Sequence, residues 1–442
     1  MSPASTHPIG ALLSPGPQAL QSTLANGVRV ILLPLPHLAS TSVSIYVRTG
    51  SCHEGRALSG ISHVVEHMAF KGTHTRSCQR INLDAERLGA EVNAHTDKDH
   101  TAYHMRGLAR DAAAFVRMLA DIVLASEFPE AELEREREVI LQELAEDDDD
   151  AFSCAYRLFD RSCYGSHALA RPVIGLRRNI ERFTRADLQD YVRRQYTGAN
   201  LIVAAAGGID PDALLREAQE AFGGMDRGSE HRVRPPVWHG GFAAKRMAGI
   251  SQTHLVHGYP APPTTEDAHA VSVVAAALLG EGMSSPLMDE VRERRGLVYY
   301  AGCSTDQNDL SGQFVVDASM APENVEAFVD TLLQLMRRQA DRIAPVDLER
   351  ARNQIAVRRL HLLERPDRLL EEAALDLFAL GRIRSQAERL ERMLAVDART
   401  LQAAFAQMLE QPPAIAVAGK VRMAAQAHLK SLATEPVSRG LQ

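Results

Sequence analysis

The first apolar runs, residues 24–34 (LANGVRVILLP) and 41–49 (TSVSIYVRT), are rich in β-formers and broken by Pro34, Pro36 and His37. They predict two paired strands entering a sheet. The apolar spacing then becomes helical over about 58–72, over 80–89 up to Gly89, and over 109–125, with a strand pair across 92–104 between the last two. Residues 129–146 (PEAELEREREVILQELAE) open with Pro and acids in the first turn, a strong helix start. Helices are expected at 152–164 and 184–196 around a loop holding Arg171-Pro172-Val173-Ile174-Gly175. A buried strand that closes a sheet is expected at 201–208 (LIVAAAGG), then a helix at 210–222. Residues 226–243 mix Pro, Gly and charge without periodicity and read as a linker.

Past the linker the chain looks like a worn copy of its first half. At a shift of 215 residues, Leu133-Glu134-Arg135 falls on Leu348-Glu349-Arg350, and Val65-Glu66-His67-Met68 falls on Gly280-Glu281-Gly282-Met283; Phe115-Val116 meets Phe328-Val329 at 213. Near-constant offsets over separated segments indicate duplication of one unit. The expected division is a disordered lead-in at 1–22, a first domain at 23–225, the linker at 226–243, a second domain at 244–430 and a tail at 431–442.

Composition narrows the class. The 442 residues are 45% hydrophobic and 24% charged, with a net charge of −7, so neither nucleic acid nor an anionic membrane is an expected partner. The five cysteines show no CxxC pairing, which suggests neither a disulfide framework nor a cysteine zinc site and fits a cytoplasmic setting. No signal peptide or membrane span is readable.

The candidate chemistry lies in Ser62-His63-Val64-Val65-Glu66-His67. On a helix His63, Glu66 and His67 share an arc of about 100°. Two imidazoles can grip one metal, and a carboxylate beside them can take a proton from water. Alone, the pattern is equally two histidines on an amphipathic helix. In the acidic helix, with Leu133, Ile140 and Leu144 as the buried stripe, Glu136 and Glu143 lie about 60–80° from Leu133 and partly inward. At the 215-residue offset His63 becomes Leu278, His67 becomes Gly282, Glu136 becomes Ala351 and Glu143 becomes Arg358, so the four positions are lost together. His95, His100 and His104, with His74 nearby, form a competing constellation that lacks a suitably spaced carboxylate.

HVVEH at 63–67, Glu136 and Glu143 resemble the site of the inverzincin peptidases of the pitrilysin, or insulinase, family. The resemblance extends to Asn93-Ala94, DHTAYH at 99–104, EREVILQE at 136–143, GANLIVAAAG at 198–207 and RERRGLVY at 292–299. It implies an α+β fold of two homologous domains, each an antiparallel sheet packed with helices. It also implies one Zn2+ per chain on His63, His67 and Glu143, Glu66 as general base, and Glu136 supporting a ligand or the catalytic water. Asn93 and Ala94 would lie on an edge strand to which a peptide adds. Arg292 and Tyr299 would reach from the second half to hold the substrate and the oxyanion. The short members, similar to the mitochondrial processing peptidase, pair as homodimers or heterodimers around a chamber that admits short or unfolded peptides. A non-catalytic partner subunit is the alternative reading. Ser284-Ser285-Pro286-Leu287 departs from the family, which commonly has Arg where Pro286 stands.

Overall fold

The computed structural model describes residues 18–434. Strands β1 (Leu20–Thr23), β2 (Arg29–Pro34), β3 (Ser40–Val47), β4 (Glu91–Thr96), β5 (Thr101–Leu108) and β6 (Leu201–Gly207) form one sheet in the order β1-β2-β6-β3-β5-β4. A second sheet runs β7-β11-β8-β10-β9, from β7 (Gly241–Arg246), β8 (Thr253–Ala261), β9 (Val298–Gln307), β10 (Gly312–Met320) and β11 (Ala414–Gly419). The two agree strand for strand once β1 is set aside. The β2–β6 and β7–β11 pairs are both parallel, and the other pairs are antiparallel. The duplication expected from the sequence is thus present as one topology used twice, in a mixed α+β fold.

Several local expectations are corrected. The runs at 24–34 and 41–49 do not pair with each other: β6 lies between β2 and β3, and β2 instead forms a hairpin with β1. Leu201–Gly207 is therefore a central strand, which explains why every residue in it is buried. Leu20–Ser22, the first three residues of β1, lie in the segment expected to be a disordered lead-in, and they are ordered because their backbone pairs with Val30–Leu32. The rest of the lead-in, residues 1–17, and the end of the expected tail, residues 435–442, lie outside the described residues. The motif helix is shorter than 58–72, spanning Ile61–Ala69.

Two helices cross between the halves. The helix Ala151–Tyr164 follows the first sheet in sequence, yet Ala155, Phe159 and Cys163 pack with Val256, Val315 and Ala416 of the second sheet. Reciprocally, the helix Pro366–Leu380 places Leu370, Ala374 and Phe378 against Ile31, Tyr46 and Ala204 of the first sheet. Each exchange buries apolar area that neither half could cover alone.

Candidate metal centre

The motif helix is held at both its start and its flank. It begins after Gly60, at φ +101°, where a Cβ would come within 2.8 Å of the Ile174 carbonyl oxygen; at Gly175, φ +90°, a Cβ would meet the Gly60 Cα at 2.2 Å. The two glycines let the 171–175 loop touch the helix start backbone to backbone. Glu54 caps the first turn, accepting from Gly60 N–H at 2.7 Å and Ser62 N–H at 2.9 Å. These are donors that a helix leaves unpaired, and a carboxylate suits the positive end of the helix dipole. Tyr191 OH lies 2.7 Å from Ser62 Oγ and 2.8 Å from Thr49 Oγ1, fixing the side of the same turn.

The acidic helix, Glu130–Asp149, packs against the motif helix with Leu133, Ile140 and Leu144 buried. That is the stripe read from sequence, and it points Glu136 and Glu143 at the histidines. Glu143 Oε1 lies 3.8 Å from His63 Nε2 and Oε2 lies 3.7 Å from His67 Nε2. The two rings are 4.6 Å apart between centroids. One ligand atom from each of His63, His67 and Glu143 falls within 4.8 Å of the others. Two imidazole nitrogens and one carboxylate, partly open to solvent, are a donor set that suits a zinc-type cation with one position left free. Burial, with the neighbouring His67 ring, pushes the His63 pKa down to about 3, so its ring stays neutral and able to donate a lone pair.

Around these atoms are residues that orient them. Glu136 Oε2 is 3.2 Å from His67 Nδ1, and its Oε1 is 2.6 Å from Lys71 Nζ. A carboxylate on the outer ring nitrogen directs the inner Nε2 toward a metal. Glu66 accepts from Thr96 Oγ1 at 2.8 Å, a bond from the edge strand β4 to the motif helix. Burial raises the Glu66 pKa, while the Thr96 hydroxyl opposes the shift. Glu54, Lys71 and Thr96 were not read from the sequence. A Glu eight residues before Ser62 was the only available hint of the cap, and nothing in a linear pattern pairs Thr96 with Glu66.

The remaining expected residues fall elsewhere. Asn93 and Ala94 lie on β4, whose outer side is the free edge of the sheet, and Asn93 Oδ1 accepts from Ala94 N–H at 2.8 Å. Arg292 sits in a π-helical turn, Asp289–Arg294, and Tyr299 is 62% exposed on β9, the counterpart of β4. No hydrogen bond or ion pair links either of them to His63, Glu66, His67 or Glu143. Pro286 takes the first position of a short helical turn, with Ser285 Oγ accepting from Met288 N–H at 3.3 Å, so local capping accommodates it. His74 pairs with Glu127 at 2.7 Å, away from His95 and His100.

The second half shows what became of the lost site. The helix matching the motif helix ends at Gly280, and Gly282, the counterpart of His67, lies beyond it at φ +87°. Arg358, at the Glu143 position, donates to Glu281, at the Glu66 position, at 2.9 Å. An ion pair stands where the first half gathers metal donors.

Comparison with known proteins agrees with this division. Residues 29–176 match the model of the insulinase family (peptidase family M16), and residues 182–355 match that of the peptidase M16 inactive domain. A protein of Streptomyces coelicolor named an uncharacterized zinc protease is 30% identical over 415 residues, covering 91% of this chain and 90% of its own length. One of Mycobacterium tuberculosis with the same description is 37% identical over 309 residues, 69% of this chain and 70% of that one. Among solved structures, a protease from Helicobacter pylori superposes with a TM-score of 0.84 at 21% identity, covering 91% of this chain and all of that one. The peptidase M16 inactive domain from Pseudomonas fluorescens gives 0.83 at 18%, covering 92% and 99%. The fold is that of a two-domain α+β protein, and its first half carries a His–His–Glu donor set. The chain belongs to the insulinase family, peptidase family M16.

Proposed function

We propose that the chain is a zinc-dependent endopeptidase acting on short or unfolded peptides, with one Zn2+ held by His63, His67 and Glu143. The observation that carries this reading is the convergence of these three donors from two packed helices, with Glu66 fixed beside them by Thr96. When bound, zinc lowers the pKa of water to about 7 and polarises a scissile carbonyl. Glu66 takes the proton of the attacking water and returns it to the leaving amine. Its buried setting favours the protonated form it must pass through. Glu136 holds the His67 ring and leaves proton transfer to Glu66.

The free edge of β4, at Asn93 and Ala94, would take up the peptide as an added strand, so affinity would come from its backbone and demand little of its sequence. Thr96, on the same strand, bonds Glu66, so a peptide added to β4 would lie beside the proposed base. Arg292 and Tyr299 would serve substrate and oxyanion from the second half, in a chamber completed by a second chain, identical or related. Substitution of His63 by Ala is expected to abolish zinc retention and cleavage of a quenched peptide together. A wild-type chain, tested alone and with a co-encoded related chain, that holds no zinc and cuts nothing would overturn the reading.

A further inference from the structure

Behind β4, on the face away from the motif helix, a second donor cluster forms that neither half of the chain contains alone. His95 from β4 and His100 from the start of the β5 hairpin meet Glu371 from the crossing helix Pro366–Leu380. His95 Nε2 is 3.3 Å from His100 Nε2, and Glu371 Oε1 is 3.6 Å from the first and 3.9 Å from the second. The point equidistant from three atoms so spaced lies about 2.1 Å from each, the length of a zinc–nitrogen or zinc–oxygen bond.

Hydrogen bonding alone accounts poorly for this arrangement. The Nε2 atoms of the histidine pair can share one proton, and Glu371 Oε1, 3.6 and 3.9 Å away, stands at the spacing of an ion pair or of ligands around a shared cation. The outer atoms are already engaged. His100, 2% exposed, directs Nδ1 at Asp99 Oδ1 at 2.6 Å, and Arg368 Nη1 holds Glu371 Oε2 at 2.7 Å. Asp99 holds a proton on His100 Nδ1, so in the neutral ring the Nε2 lone pair faces inward, while Arg368 leaves Oε1 as the free carboxylate oxygen. His95 is 39% exposed along its side chain, which gives a cation entry from solvent.

We propose that His95, His100 and Glu371 form a second binding site for a zinc-type divalent cation, separate from His63, His67 and Glu143. It ties the edge strand β4 to the helix that the second half lends to the first sheet. Three protein ligands leave one position for water, and its place behind the strand makes it a structural clasp. Occupancy would hold β4 against the crossing helix, so strand order and the coupling of the two halves would depend on the metal.

The test is the zinc content of the full chain, stripped with chelator, reloaded with Zn2+ alone and measured by mass spectrometry after dialysis, with circular dichroism to verify folding. The expected result is two equivalents for wild type, one for His67→Ala and one for His95→Ala, and none for the double variant. Asp99→Asn, which keeps all three ligands, is expected to weaken the second equivalent 10–100-fold in competition with a chromophoric chelator. Zinc should raise the melting temperature of His67→Ala but not of the double variant. Glu371→Gln is expected to lose the second equivalent as His95→Ala does; should it fail to fold, the half-exposed His95 still provides the answer. A folded His67→Ala chain that retains no zinc would overturn the proposal, as would an equivalent that survives His95→Ala in the His67→Ala background. Failure of the peptidase reading is distinct: wild type would then hold one equivalent, lost in His95→Ala and kept in His67→Ala.

Discussion

Glu66 and Glu143 are both carboxylates that act on His67, and their surroundings separate their roles. Glu143, nearly half exposed, faces both Nε2 atoms, while Glu66 is turned to the Thr96 hydroxyl of β4. Thr96→Val removes that hydroxyl without changing the shape of the residue. It is expected to lower kcat on a quenched peptide about tenfold while zinc content stays at the wild-type value, because only the base loses its anchor. A loss of zinc in Thr96→Val would show instead that the strand supports the metal ligands. At this scale the sequence was informative where a helical period fixed the angle. His63, His67, Glu136 and Glu143 all come together as the 100° arc and the Leu133–Ile140–Leu144 stripe required. It was silent on Thr96, Lys71 and Glu371, whose partners are brought near only by sheet order and helix exchange.

At the scale of elements, the motif helix depends on a cap from outside itself. Glu54 satisfies two first-turn N–H groups, and the glycine pair Gly60 and Gly175 sets the approach of the neighbouring loop. Replacing Glu54 by Ala leaves those donors buried without an acceptor, and a loss of about 1–3 kcal/mol in unfolding free energy is expected from denaturant titration. Zinc affinity should fall in the same variant, since His63 lies in that first turn. Unchanged stability would mean that water replaces the cap fully. The 24–34 and 41–49 runs show how strand pairing departs from sequence adjacency. Their composition identified two strands correctly, but adjacency in sequence suggested a hairpin, and the real neighbour of both is β6, supplied more than 150 residues later. Strand identity is local information, whereas sheet order depends on which long-range pairing covers the apolar faces.

Over the whole molecule, the exchange of helices couples the halves. Phe378 and Leu370 are buried against strands of the first sheet, and Arg29 and Arg48 stack on the Phe378 ring at 4.8 and 5.8 Å. Leu370→Ala is expected to cost about 2–5 kcal/mol and, because the contact joins the halves, to split one unfolding transition into two. A single transition at lower temperature would contradict coupling through this helix. A further dependence follows from His257 in β8, 1% exposed with neither ring nitrogen hydrogen-bonded. Burial lowers its pKa to about 4, so the folded chain keeps it neutral while the unfolded chain protonates it below about 6.5. Its contribution is intact above pH 6.5 and is lost progressively as pH falls to 4, by about 3 kcal/mol. His257→Leu should remove that part of the acid slope; an unchanged slope would assign acid sensitivity to other groups.

The duplicated topology explains how one half can lose a site without losing its fold. The helical framework and strand order recur, while Glu281 and Arg358 close an ion pair where the first half gathers donors. The proposed activity thus rests on the first half's four residues, and on a division of labour between two carboxylates that are chemically alike. Parallel measurement of zinc content and peptide turnover in Glu66→Gln and Glu143→Gln tests this most directly. The expected result is full zinc with turnover reduced at least 100-fold in Glu66→Gln, and weakened zinc binding in Glu143→Gln. Equal loss of zinc in both, or undiminished turnover in Glu66→Gln, would contradict it.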